Sequence, residues 1–166
     1  LGRRVHLNTA SSWVHLDREL TPVRYKNRET WNKESEFPIE NATHHYMGAG
    51  YWCWSFPIDE STLSFGLVYD QHQYRRRKPK DLFWEIIEAN EELRAFVKKE
   101  AVKEFNHRTN LAYRNNKMFW GDFLCLGDAF SFVDPLFSSG IELALQQVKV
   151  FSELISERLA GDNNSK

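Results

Sequence analysis

Gly50-Tyr51-Trp52-Cys53-Trp54-Ser55-Phe56-Pro57-Ile58-Asp59-Glu60-Ser61-Thr62-Leu63-Ser64-Phe65-Gly66-Leu67-Val68-Tyr69 carries the clearest β pattern of the chain. Two arms of aromatic and β-branched residues alternate with small or polar ones and flank Ile58-Asp59-Glu60-Ser61, which reads as a turn. An antiparallel hairpin is predicted. Successive strand side chains point to opposite faces, so Trp52, Trp54 and Phe56 share one side. Core packing accounts for such a face, and so does an aromatic wall beside a flat ligand.

Upstream, Met47-Gly48-Ala49-Gly50 contains a Gly-x-Gly, but a dinucleotide loop needs a helix after it and here a tryptophan-rich strand follows. These glycines read as a turn or bulge. His44 and His45 are adjacent in strand-like sequence and point to opposite faces, which makes joint ligation of one metal difficult. No Cys-x-x-Cys, His-x-x-x-His or spaced acidic cluster is present, and no metal site is expected. Thr30 to Thr43 is polar and loop-like, with Pro38. Nearer the start, Arg4–Leu7 and Trp13–Leu16 are short β-like runs.

Downstream, Arg75-Arg76-Arg77-Lys78-Pro79-Lys80 reads as a solvated loop rather than a phosphate or nucleic-acid patch, because the 22 Lys and Arg are matched by 23 Asp and Glu. Asp81 then reads as an N-cap. Leu82, Phe83, Ile86 and Ile87 make an apolar stripe that continues past a weak point at Asn90 as Leu93, Phe96 and Val97. Asn110 to Tyr113 and Met118 to Leu126 read as a return to strands. A final helix is expected from about Ser139, with Ile141, Leu145, Val148, Phe151, Ile155 and Leu159 on one face and Gly161 as its glycine C-cap.

With 166 residues and 42% apolar composition, the chain can form one sizeable core, or pieces of two domains. No apolar run approaches the ~20 residues of a membrane helix, and no secretory leader is visible, so a cytoplasmic location is expected with neither membrane nor nucleic acid as partner. Cys53 and Cys125 both fall in apolar strand patterns and read as buried thiols in a reducing compartment.

The stretch GDAFSFVDPLFSSGIELALQQ, Gly127 to Gln147, follows the apolar run Phe123-Leu124-Cys125-Leu126. Gly127 suits a close backbone approach where a strand ends, and Asp128 can accept hydrogen bonds from sugar hydroxyls. Ser138-Ser139-Gly140 delivers unpaired N–H groups at a positive helix end. A ligand crevice and an ordinary strand-loop-capped helix both satisfy this pattern.

Gly127-Asp128-Ala129-Phe130-Ser131-Phe132-Val133-Asp134-Pro135-Leu136-Phe137-Ser138-Ser139-Gly140-Ile141 resembles the second FAD-binding motif of flavin-dependent (tryptophan halogenase-like) halogenases, in the wider group that holds aromatic hydroxylases and geranylgeranyl reductases. Gly50–Pro57 resembles the Trp-x-Trp-x-Ile-Pro signature of the halogenases. The resemblance spans the chain but only the C-terminal portion of the family. The fold it implies is α+β: an antiparallel substrate-domain sheet with a helical segment, plus the last strand and helix of an FAD-binding Rossmann-like domain. Residues 1–116 would form the substrate-domain-like region, with helices near 81–104, and 117–166 the C-terminal part of the FAD domain.

The resemblance also implies roles. Asp128 would bind the ribityl or pyrophosphate region of FAD, with Gly127 allowing close approach. Asp134 and Pro135 would shape the loop under the isoalloxazine ring, and N–H groups near Ser138, Ser139 and Gly140 would face its pyrimidine edge. A chloride or bromide would sit near Ser139 and Gly140. Trp52, Trp54 and Pro57 would lie by the path between flavin and substrate. The implied activity is FAD hydroperoxide chemistry that oxidises halide and halogenates an aromatic or other electron-rich small molecule, free or carrier-bound, with reduced flavin from a partner flavin reductase.

Three departures qualify this. Phe56 replaces the signature isoleucine, and Glu142 stands where many relatives acting on phenols or pyrroles have histidine, which leaves the substrate class open. The Gly-x-Gly-x-x-Gly turn and the tunnel lysine belong to an N-terminal portion not in this sequence, so no catalytic residue is assigned and the chain alone is expected to be inactive. The rival readings are a related FAD-dependent monooxygenase or reductase without halide use, and a fragment that binds no flavin by itself.

Overall fold

The computed structural model describes residues 3–4, 8–21, 28–121 and 123–163. Its strands are β1 (Arg3–Arg4), β2 (Thr9–Asp17), β3 (His44–Gly48), β4 (Tyr51–Pro57), β5 (Thr62–Asp70), β6 (Val102–Thr109), β7 (Tyr113–Asn115), β8 (Phe119–Trp120), β9 (Phe123–Leu124) and β10 (Ser131–Phe132). Its helices are α1 (Arg28–Glu34), α2 (Pro79–Ala89), α3 (Glu91–Phe96) and α4 (Gly140–Asn163). The chain divides into two compact units, one of residues 9–109 and one of residues 1–8 with 110–166. The division thus falls at 109/110, not 116/117, and the first eight residues group with the C-terminal ones.

In the unit of residues 9–109, an antiparallel sheet runs in the order β3-β4-β5-β2-β6. The predicted hairpin is β4 and β5, in the register Trp52↔Val68, Trp54↔Gly66 and Phe56↔Ser64. The glycines at 48 and 50 flank the β3–β4 turn, where Gly50 has φ +74°. One sheet face carries Val14, Leu16, Cys53, Leu63, Phe65 and Leu67, and α2 and α3 cover it. Phe65 lies at the centre, edge-on to Phe83 at 5.9 Å and to Phe96 at 5.7 Å. Burying each such phenylalanine contributes roughly 1.5–3 kcal/mol. The predicted stripe Leu82, Phe83, Ile86, Ile87, Leu93, Phe96 and Val97 is buried throughout. Its break falls at Asn90, whose side chain accepts a hydrogen bond from the Leu93 N–H at 3.1 Å and so caps α3.

Several expectations are corrected here. Asp81 is not the N-cap of α2: Lys78 is, and Pro79 opens the helix, where its missing N–H costs nothing, with Asp81 in the first turn. The stretch read as a loop from Thr30 to Thr43 contains most of α1 and a 3-10 turn at Ile39–Asn41. Helical structure does not reach residue 104. Residues 102–109 form β6, an edge strand whose register shifts between His15 and Leu16, and that irregularity breaks the period-two pattern. Of the run Arg4–Leu7, residues 5–7 lie outside the described residues.

In the other unit, β1, β7 and β10 form a three-stranded antiparallel sheet. Met118–Leu126 is not one strand: β8 and β9 fold back on each other about Gly121, which has φ +54°. Helix α4 starts where expected but continues through Gly161 to Asn163, so that glycine is no C-cap. Ala144, Gln147 and Phe151 form a seam along it, where the Phe151 ring meets Phe119 edge-on at 5.4 Å. The predicted apolar face beside this seam is largely open, with Ile141 77% and Leu145 64% exposed. Cys125 is half-buried rather than buried, and both cysteines are free thiols.

Candidate functional site

The loop between β9 and α4 is held by backbone contacts. Gly127 adopts φ +52°, a left-handed conformation that glycine takes without strain. Its N–H donates to Gln147 Oε1 at 2.7 Å, and a Cβ at this position would stand 3.1 Å from the Ala144 Cβ. The close approach that needs glycine here is therefore to α4. The following 3-10 turn, Gly127–Ala129, is fastened by the Tyr113 hydroxyl donating to the Asp128 carbonyl at 2.6 Å and by Asn115 Nδ2 donating to the Ala129 carbonyl at 2.8 Å. These bonds leave the Asp128 side chain exposed.

Asp134 Oδ1 accepts from the Leu136 N–H at 3.2 Å and caps a second 3-10 turn, Pro135–Phe137. Ser138 ends that turn at φ +53°, an uncommon conformation outside glycine. Its N–H donates to the Pro135 carbonyl at 3.0 Å, so of the three N–H groups predicted to face a ligand, that of Ser138 is already engaged. The Ser139 carbonyl accepts the Leu143 N–H at 3.0 Å and starts α4. The N–H groups of Gly140, Ile141 and Glu142 have no partner within the helix, as at any helix start. Its chain neighbours and the helix's own backbone aside, no heavy atom of the described residues lies within 4 Å of where a Gly140 Cβ would be.

These segments enclose a cleft of about 340 Å³. Gly127, Asp128, Pro135, Ser138 and Gly140 line it, with Phe132 and Ile141 among its apolar walls. Asp134 and Ser139 are not in the lining. Gln147, Tyr113 and Asn115, which fasten the loop, were not anticipated, because nothing local to a glutamine, tyrosine or asparagine signals which backbone group it will meet. Among the described residues, no group of three or more His, Cys, Asp or Glu is placed to hold a metal ion, and no helix is long and apolar enough to cross a membrane.

Trp52, Trp54 and Pro57 belong to the other unit, on β4. The two indoles lie 5.8 Å apart at 51°, and His45 meets Trp52 edge-on at 5.5 Å. Trp54 Nε1 donates to Ser64 Oγ at 3.1 Å, and its ring lies across Gly66, where a Cβ would fall 2.0 Å from the indole. By strand alternation Pro57 points to the opposite face. Burial raises the Cys53 thiol to about 12.

The family model for tryptophan halogenases matches residues 5–165. The chain is 32% identical over 118 residues to a 1H-pyrrole-2-carbonyl-[peptidyl-carrier protein] chlorinase of Pseudomonas fluorescens, covering 69% of this chain and 26% of that protein. It is 25% identical over 168 residues to the flavin-dependent halogenase chlA of Dictyostelium discoideum, covering 95% of this chain and 26% of that protein. The chain thus spans about a quarter of the length of these curated relatives. Among solved structures, halogenase PltM superposes with a TM-score of 0.76 at 17% identity, covering 96% of this chain and 34% of that one. The flavin-dependent brominase Bmp2 superposes with 0.72 at 23% identity, covering 96% and 38%. At these identities the superpositions show the shared fold.

Proposed function

Because the chain belongs to the tryptophan halogenase family, we propose that it supplies the cleft facing the flavin, and an aromatic wall by the substrate path, in an FAD-dependent halogenase acting on an electron-rich aromatic molecule. The observation that carries this reading is the start of α4: helix N–H groups open at Gly140 beside empty space, on a cleft with polar and apolar walls. That lining fits one portion of FAD, a flat ring system edged by carbonyl and ring nitrogen acceptors. Phe132 and Ile141 offer apolar contact to the ring, and the Gly140 and Ile141 N–H groups offer donors to its edge. The exposed Asp128 carboxylate is free to accept from ribityl hydroxyls.

When bound and reduced, by a partner flavin reductase in this reading, FAD supplies the activation of oxygen. The chain's own residues orient the ring and exclude water. Ser139 and Gly140 hold chloride or bromide at the positive end of α4. Trp52 and Trp54 line the acceptor's path, with Pro57 closing the strand that carries them. The curated relatives are named for a carrier-bound pyrrole and, in a third case from Chondromyces crocatus, for tryptophan, which supports an aromatic acceptor, free or carrier-bound.

The test is product analysis on the intact protein with FAD, a flavin reductase and an aromatic acceptor, with and without bromide. Halide-dependent product is expected. A hydroxylated product without halide dependence would move the protein to the hydroxylases. Gly140→Val separates fold from site: with no atom within 4 Å of its Cβ position, the fold should survive while flavin occupancy and turnover fall.

A further inference from the structure

The loop between β5 and α2 presents Arg75, Arg76, Arg77 and Lys78, all exposed. It is fastened in place. The Tyr74 N–H donates to the Asp70 carbonyl at 3.1 Å and the Arg77 N–H to the Tyr74 carbonyl at 3.0 Å. The Tyr74 hydroxyl, at 2.9 Å, and Gln73 Nε2, at 3.2 Å, both donate to the Ala49 carbonyl in the β3–β4 turn. The Tyr74 ring also meets Tyr69 edge-on at 6.1 Å. The carboxylates beside the loop are engaged or few. Asp70 Oδ1 accepts the His72 N–H at 2.7 Å, Glu85 holds Arg77 at 3.2 Å, and Asp81 stands in the first turn of α2. Among the described residues Arg75, Arg76 and Lys78 have no side-chain hydrogen-bond or ion-pair partner. Arg108 lies at the same end of the sheet, since Thr109 pairs with Ala10 and Thr9 with Asp70.

We infer that this end of the sheet docks an acidic protein segment, a helix or loop with clustered Asp and Glu, whose carboxylates the Arg75 and Arg76 guanidinium forks take two-pronged. Such docking needs neither flavin nor halide and lies outside the proposed reaction. Adjacent like charges repel, and hydrogen bonds that hold them in one turn keep that repulsion in the folded state. A loop that served only to be wetted has no use for this fastening. A docking surface does, since a loop already ordered loses less freedom on binding. Nucleic acid is the poorer match. The 22 Lys and Arg of the chain are balanced by 23 Asp and Glu, which gives no cationic excess to follow a phosphate backbone, and the Tyr74 ring is committed to Tyr69 rather than open for a base to stack on. A lipid surface is poorer still, because residues 71–80 expose no large apolar side chain to insert.

The test is fluorescence anisotropy of a labelled helical peptide carrying glutamates at i and i+4, titrated with the intact protein at about 50 and about 150 mM salt. The parent should bind it, more weakly at the higher salt. Arg75→Glu with Arg76→Glu should weaken binding about five- to thirtyfold without lowering the melting temperature. Arg75→Lys with Arg76→Lys, which keeps the charge and loses the forks, should cost about two- to threefold. Lys33→Glu, at an exposed position on α1, should bind as the parent does. A parent that leaves the peptide free, or a double reversal that binds it as well as the parent, overturns the inference. Tighter binding of single-stranded DNA of equal charge, lost in the double reversal, would make the patch a nucleic-acid site and overturn it too, as would binding to phosphatidylserine vesicles but not to the peptide.

Discussion

Gln147 ties the flavin-facing loop to α4 through one hydrogen bond from the Gly127 N–H. Gln147→Ala should leave that N–H without its acceptor and cost about 1–3 kcal/mol. Gln147→Glu keeps an acceptor and should be milder; thermal melts and flavin titration of the pair check both. The two thiols should also separate. Nucleophilic sulfur is thiolate, and with Cys53 buried and its pKa at about 12, iodoacetamide at neutral pH should label half-buried Cys125 and spare Cys53 in the folded protein. Mass spectrometry of the labelled peptides decides it, and equal labelling would show that the sheet opens readily. That a close backbone approach occurs at Gly127 was legible from its being glycine, though the approach is to α4; the cap that Asp134 places on the next turn was not read from the sequence. The Gln147 partner was not legible, because a glutamine twenty residues away on a helix carries no local signature of its contact.

The break at Asn90 was readable from an asparagine interrupting an apolar stripe, and the cap it forms gives it a measurable weight. Asn90→Ala should remove the acceptor for the Leu93 N–H and cost about 1 kcal/mol, seen as a lower denaturant midpoint at unchanged m-value. The β4–β5 hairpin was equally plain, since its alternation is regular on both arms. Ser64 and Gly66, the small positions of that alternation, prove to be the seat of the Trp54 ring. Other elements escaped for physical reasons. Helix α1 spans only seven residues, too few for a period to emerge. Strand β6 has one packed face and a register shift, so its alternation is lost. The two-residue strands β8 and β9 are too short for an alternation to show where one ends and the other begins.

At the scale of the molecule, the titration of buried groups sets an alkaline limit. Burial raises Tyr51, Tyr69 and Tyr74 as well as Cys53, so the folded state holds these protons above the pH at which the unfolded chain releases them. Their contribution is intact below about pH 9 and is lost as pH rises toward 12. Melting temperature should stay level from neutral pH to about pH 9 and then fall, and Cys53→Ala should soften that fall. Helix α4 supplies a second whole-molecule expectation. Ile141, Leu145, Ile155 and Leu159 are exposed on one side and Leu143, Val150 and Leu154 on another, with a polar stripe of Glu142, Lys149 and Glu153 between them, and apolar surface this broad is what a further part of a fold covers. The chain alone should bind the dye ANS strongly, and the intact protein weakly. The strand order has a consequence in time. β2 pairs with β5, which is made well after it, and then with β6, made later still: Thr9 meets Asp70, and Ala10 meets Thr109. A growing chain therefore carries β2, Trp13 included, unpaired until β5 has been made, and half-paired until β6 follows. That strand is where a chaperone would first find hold.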